Sequence, residues 1–230
     1  MIKLVICYND GADAVLPEFP FLTELLANTK AESLQRERAH AYLTLKLSYE
    51  LLFGASMPTL RKNELGRPEF VGNTVPRDFS VSHTAGLSVI AYLIGEGKVG
   101  VDAEGEREVC KNDKIRERFL KNVNINLPNN LKNVEIYFFE LSNCALKKID
   151  TPKDFSNILE DAQSDNLPSD FFSLWCTAEA TVKADGGGFS SISKTEELLK
   201  HASLALFTFS EKKKKYRIAL SNIPLSCGEI

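Results

Sequence analysis

A helical stretch followed by short, turn-bounded strands occurs twice along this chain, and that order restricts the possible folds more than any other feature. In the first half, Thr29-Lys30-Ala31-Glu32 has the spacing of a capping box, in which a hydroxyl and a carboxylate satisfy orphan amides at a helix start. The predicted helix runs to about Phe53 and stops at Gly54. Leu34, Ala41, Leu45 and Leu52 supply its apolar stripe, and Arg36, Glu37 and Arg38 point elsewhere. Strands are predicted at 79–82, 87–94 and 98–102, each bounded by turn residues. MIKLVICYN reads as an earlier strand at the N-terminus.

The second half repeats the scheme. SDFFSLWCTAEATVKADGGG, opening at Ser169, places Phe171, Leu174, Trp175, Ala178 and Val182 at helical spacing before glycines 186–188 end it. Ser193-Lys194-Thr195-Glu196 caps a further short helix, and LALFTFSEKKKKYRIALS reads as a closing hairpin. Between the halves lie a charged helix at 113–121, an Asn-rich turn, an apolar run at 134–141 and a polar loop up to Pro168. The expected fold class is α+β, with two similar lobes, each a helix packed on a small antiparallel sheet. The expected boundary separates 1–105 from 106–230.

Bulk properties narrow the function classes. A net charge of −3 carries no bias toward polyanions, so no nucleic-acid partner is expected. No apolar run is long enough to span a bilayer, and the five-residue apolar run near the N-terminus is too short for a signal-peptide core, so the expectation is a cytoplasmic protein. The five cysteines are scattered without C-x-x-C spacing, which suggests reduced packing residues.

Several clusters carry chemistry, and each has a plainer reading. GEGKVG, residues 95–100, matches the dinucleotide fingerprint in letters alone. VGVDAE continues as strand where that motif needs a helix, so a hairpin turn is the better reading. Asp102 and Glu104 lie two apart on a strand and leave the same face; they are either a solvated strand end or the start of a site for a hard cation such as Mg²⁺. His83, flanked by Ser82 and Thr84 at a strand end, is either a core histidine or part of a phosphate-holding cluster. Glu179 and Lys183 have the spacing of a surface salt bridge. With Trp175 they also share one helix face, from which a carboxylate and a cation can project together. EKKKK, residues 211–215, is a solvated turn.

Taken in order, GRP at 66–68, FSVSHT, VGVDAE, and a helix with W-x-x-x-E-x-x-x-K ending in GGGF resemble the phosphopantetheinyl transferase family, in its two-lobed, surfactin-synthetase-activating type. The resemblance extends from about Thr29 to the terminal hairpin. It implies transfer of the phosphopantetheine arm of coenzyme A onto a serine of an apo acyl or peptidyl carrier protein, by a Mg²⁺-dependent enzyme that is a monomer because both lobes lie in one chain. It also implies Mg²⁺ ligands at Asp102, Glu104 and Glu179. The nucleotide phosphates would meet Arg67, Ser82, His83 and Lys183, with Glu179 and Lys183 as the catalytic pair. Mg²⁺ and a point charge suit the developing charge of phosphoryl transfer, and a carboxylate suits the serine proton.

Two positions depart from the family pattern. Ala178 stands where a lysine usually precedes the helix glutamate, and Ala41 stands where the first helix often carries an arginine. The 106–168 segment is also longer than the usual inter-lobe stretch. Two further readings therefore stand beside the first: a non-catalytic module that binds coenzyme A or a carrier protein, and a metal-dependent phosphohydrolase using Asp102 and Glu104.

Overall fold

The computed structural model describes residues 1–9, 20–27, 29–84, 86–105, 130–157, 171–186, 194–211 and 214–225. The predicted helix at 113–121, the Asn-rich turn, Ser169, Gly187, Gly188 and Ser193 lie outside them. Among the described residues no helix is long and apolar enough to cross a membrane. The chain is α+β and divides into two compact units, Met1–Glu96 with Asn133–Thr151, and Gly97–Lys132 with Pro152–Ile230.

In the first unit, β1 (Ile2–Asn9) lies between β5 (Leu87–Leu93) and β7 (Val134–Ser142). Strand β4 (Asp78–Thr84) flanks β5 and β8 (Ala145–Lys148) flanks β7, giving five strands in the order β4-β5-β1-β7-β8. A separate two-stranded ribbon joins β2 (Leu60–Lys62) and β3 (Pro68–Phe70), and a short helix α1 spans Pro20–Ala27. Helix α2 (Glu32–Phe53) packs on the larger sheet. Ala41, Tyr42, Leu45 and Tyr49 are buried on its inner face, and Tyr42, Leu45 and Tyr49 share a core with Val5, Phe79, Ile90 and Tyr92. The helix ends where Gly54 adopts a left-handed conformation (φ 65°) and donates its N–H to Glu50 O at 3.0 Å.

The second unit holds a four-stranded sheet, β6 (Lys98–Gly105), β11 (Lys214–Ile223), β10 (Ser203–Glu211) and β9 (Ser156–Asn157) in that order. Helix α3 (Phe171–Asp185) packs on β6 and β11, and a short α4 (Thr195–Leu199) packs on α3.

Several expectations are corrected. The boundary falls at Glu96 and Gly97 rather than after 105, because β6 pairs with β11 of the second unit, from Lys98 opposite Ile223 to Gly105 opposite Tyr216. Consequently β5 and β6 form no hairpin, although glycines do turn the chain between them, with Gly95 and Gly97 at φ 118° and 115°. The apolar run at 134–141 is β7, which returns to the first unit and pairs with β1 in parallel, so that sheet is mixed rather than antiparallel. The polar stretch expected as loop contains β8 and β9. The capping box does not form. Helix α2 starts two residues later than expected, with Ala31 at its N-cap and no side-chain cap bond, and Thr29 Oγ1 instead accepts from Arg38. Lys194, likewise without a side-chain cap bond, occupies the N-cap of α4.

Candidate functional site

The strongest constellation lies in the second unit, where α3 meets β6, and Gly100 sets how closely they approach. A Cβ at that position would lie 1.8 Å from Ala180 O and 2.5 Å from Ala184 N, so helix backbone rests directly on the strand. Ala180 and Ala184, both fully buried, complete the close contact. Period-two alternation then turns Gly100, Asp102 and Glu104 toward the helix. Asp102, with its side chain 8% exposed, accepts a hydrogen bond from Lys183 Nζ at 2.6 Å, and the Lys183 side chain remains 30% exposed.

The electrostatics follow from this packing. Burial tends to discharge Lys183, but the charge and hydrogen bond of Asp102, with help from Glu179, outweigh it and raise the lysine's pKa. The Glu179 carboxyl is pushed above the ordinary carboxylate range by burial and then by the Asp102 charge, which Lys183 partly offsets. Beneath them Cys176 is fully buried, and its thiol lies well above its usual pKa, through burial first and the Asp102 and Glu104 charges next. It is a protonated packing residue, with its thiol directed to Arg217 O at 3.7 Å.

Sequence reasoning overlooked Arg217. It stands opposite Glu104 in the β6–β11 register, is 8% exposed, and donates from Nη1 to Thr208 Oγ1 at 3.3 Å. The register row Glu104, Arg217, Thr208 lies beside the row Asp102, Ala219, Leu206, on the α3 side of the sheet. Asp102, Glu104 and Glu179 thus share this helix–sheet interface with two cations, Lys183, which is bonded to Asp102, and Arg217, which stands across from Glu104 in the strand register. The available signal was YRIALS: Arg217, Ala219 and Ser221 alternate with three large apolar residues, and a buried arginine in such a strand calls for a charged neighbour.

Trp175 does not join this group. It packs on Phe171, with ring centroids 5.7 Å apart, and against the cluster of Ala178, Leu199 and Leu204. Ala178 itself is fully buried in that cluster, on the core side of the helix.

The other candidates belong to the first unit. Arg67 is held by Asp78 Oδ2 at 2.8 Å and by Phe79 O at 3.0 Å, with both ion-pair side chains largely buried. The Nδ1 of His83 donates to Glu37 Oε2 of α2 at 3.2 Å. Strand β4 continues through Thr84, so Ser82, which is buried, leaves the sheet face opposite to His83. The Ser-His-Thr triplet is therefore not a single cluster. Among the described residues no three His, Cys, Asp or Glu side chains form a group able to hold a metal. A Mg²⁺ ion nevertheless suits the donors present, since it takes one or two carboxylates and fills its other positions with water and phosphate oxygens.

No protein-family model matches the chain, and no curated protein matches it.

Proposed function

We propose that the chain is a phosphopantetheinyl transferase of the two-lobed, surfactin-synthetase-activating type, acting in the cytoplasm on an apo acyl or peptidyl carrier protein with coenzyme A as donor. The reading rests above all on the Lys183–Asp102 pair, 2.6 Å apart on a strand face that also presents Glu104, under the helix that carries Glu179. Each unit also places one principal helix on a sheet, as two similar lobes would.

In this reaction the carrier serine oxygen forms a bond to the phosphorus bearing the pantetheine arm, and the bond from that phosphorus to 3′,5′-adenosine bisphosphate breaks. Glu179, carried by the helix over that strand face, takes the serine proton. Lys183 offers a point charge to the leaving phosphate. The proposed Mg²⁺ ligands are Asp102 and Glu104, with Glu179 as a third only where it moves toward them, because the three do not form a metal-holding group as they stand; the bound ion would neutralise charge on the pyrophosphate oxygens. In the first unit Arg67 and His83 are assigned to the nucleotide phosphates, whereas Ser82, on the strand face opposite to His83, could not meet the same phosphate as His83. Arg67 and His83 are already oriented by Asp78 and Glu37.

A second reading, a non-catalytic coenzyme A or carrier-binding module, is favoured by Ala178. The position that usually supplies a lysine is here part of the apolar core. Incubation with coenzyme A, Mg²⁺ and several apo carriers, followed by intact carrier mass, separates the two. A gain of one phosphopantetheine arm supports the transferase; coenzyme A binding without any gain supports the module. Phosphate release without carrier modification would instead favour hydrolysis.

A further inference from the structure

The two cations facing the carboxylates are built differently. Arg217 is fixed: it is largely buried, its backbone is paired on both sides within the sheet, and Nη1 is bonded to Thr208 Oγ1. Lys183 reaches Asp102 at the tip of a flexible four-carbon stem, from the last turn of α3, and its side chain is 30% exposed. A carboxylate as buried as Asp102 needs a positive neighbour, and the lysine supplies one. A divalent cation on the same carboxylate would supply the compensation in its place, and would repel an ammonium held within a few ångströms of it.

We propose that Lys183 is the exchangeable counter-ion of this site: its ammonium holds Asp102 until a divalent cation takes the carboxylate, and the displaced ammonium then turns to a phosphate oxygen of the substrate. The inference rests on the reading of these carboxylates as a hard-cation site and adds an order of events to it. Cation entry and lysine release become one step, so the protein presents its mobile positive charge to a phosphate only once the cation is in place.

Competition of this kind gives an opposite-signed signature. Removing a lysine that merely supported the site would weaken cation binding, whereas removing a competitor strengthens it. The test is calorimetric titration of the purified protein with Mn²⁺ in the absence of coenzyme A, for the parent, Lys183→Gln and Lys183→Met, with Asp102→Asn as reference. Thermal unfolding with and without Mn²⁺ accompanies each titration. Both lysine variants should bind Mn²⁺ about tenfold more tightly than the parent, and Mn²⁺ should raise their melting temperatures by more. Asp102→Asn should bind more weakly. The glutamine variant retains a polar side chain should the methionine one fail to fold. Equal or weaker Mn²⁺ binding by Lys183→Gln overturns the exchange while leaving the transferase reading to the carrier-mass assay. No saturable Mn²⁺ binding by any variant overturns the exchange together with the cation site.

Discussion

A methyl group on Gly100 would lie 1.8 Å from the carbonyl oxygen of Ala180, so this strand residue and this helix residue touch through backbone alone. No rotamer change relieves such a clash. Gly100→Ala should destabilise the protein by about 3 kcal/mol, at the upper end of the usual overpacking range, as read from urea unfolding. Because the same contact brings Lys183 over Asp102, a variant that still folds should have drawn the competing ammonium away and should bind Mn²⁺ at least as tightly as the parent. Unchanged stability would mean that the helix can lift from the strand freely.

Ala178→Lys tests the departure from the family pattern directly. The side chain is fully buried among Leu199, Leu204 and partly buried aromatics, so a lysine there would put a charge into an apolar cluster. A loss of about 3 kcal/mol or more is expected, with no gain in transfer rate. A faster enzyme with unchanged melting temperature would show that the added ammonium had found the site.

Asp102→Asn removes the carboxylate that Lys183 holds while keeping its shape. Transfer should fall by a few hundred-fold, equivalent to roughly 3–4 kcal/mol in the barrier. Steady-state rates at limiting Mg²⁺ measure it, and parental turnover would remove Asp102 from the site.

The acid limb of stability offers a probe of how the 133–151 segment is held in the first unit. Lys3 of β1 donates to Glu135 of β7 at 2.8 Å, and Tyr137 donates to the same carboxylate. The hydrogen bond from Lys3, then that from Tyr137, lowers the Glu135 pKa below its ordinary 4.5. A carboxyl whose folded pKa is depressed contributes stability above its unfolded pKa and loses it as the pH falls through the folded value. The parent should therefore exceed Glu135→Gln in stability near neutral pH, and the difference should close below about pH 4. Melting temperatures across that range decide the matter; a constant difference would place the effect in packing.

What the sequence made legible were features carried by local geometry. Gly54 ends α2 because only a left-handed residue closes that helix, and Asp102 and Glu104 share a face because strand side chains alternate. Pairings between distant segments were not legible. Nothing in the alternation of MIKLVICYN distinguishes a parallel partner at 134–142 from a neighbouring hairpin, and nothing in VGVDAE says that its partner is the final strand. Lys183 was visible as a cation, but its seat on Asp102 depends on a glycine two residues upstream that reads as a turn. Ala178 looked like a missing charge only through the family resemblance; helical spacing already set it in the apolar stripe with Leu174 and Val182, and the apposition of α4 and β10 makes it core.

The interleaving of the two units has a consequence for how the chain comes to be folded during synthesis. Strand β1 pairs with β7 more than a hundred residues later, and β6 pairs with β11, the last strand of the described chain. Neither sheet can be completed while the ribosome is still near the middle of the message, and such distant pairings slow folding. Strands β4, β5 and β1 can pair as soon as they emerge, but β1 would keep one edge open until β7 arrives, and β6 would have no partner until β11 is made. Conditions that slow translation should therefore favour holdase binding to the nascent chain between residues 105 and 214, and release should wait for the closing strand.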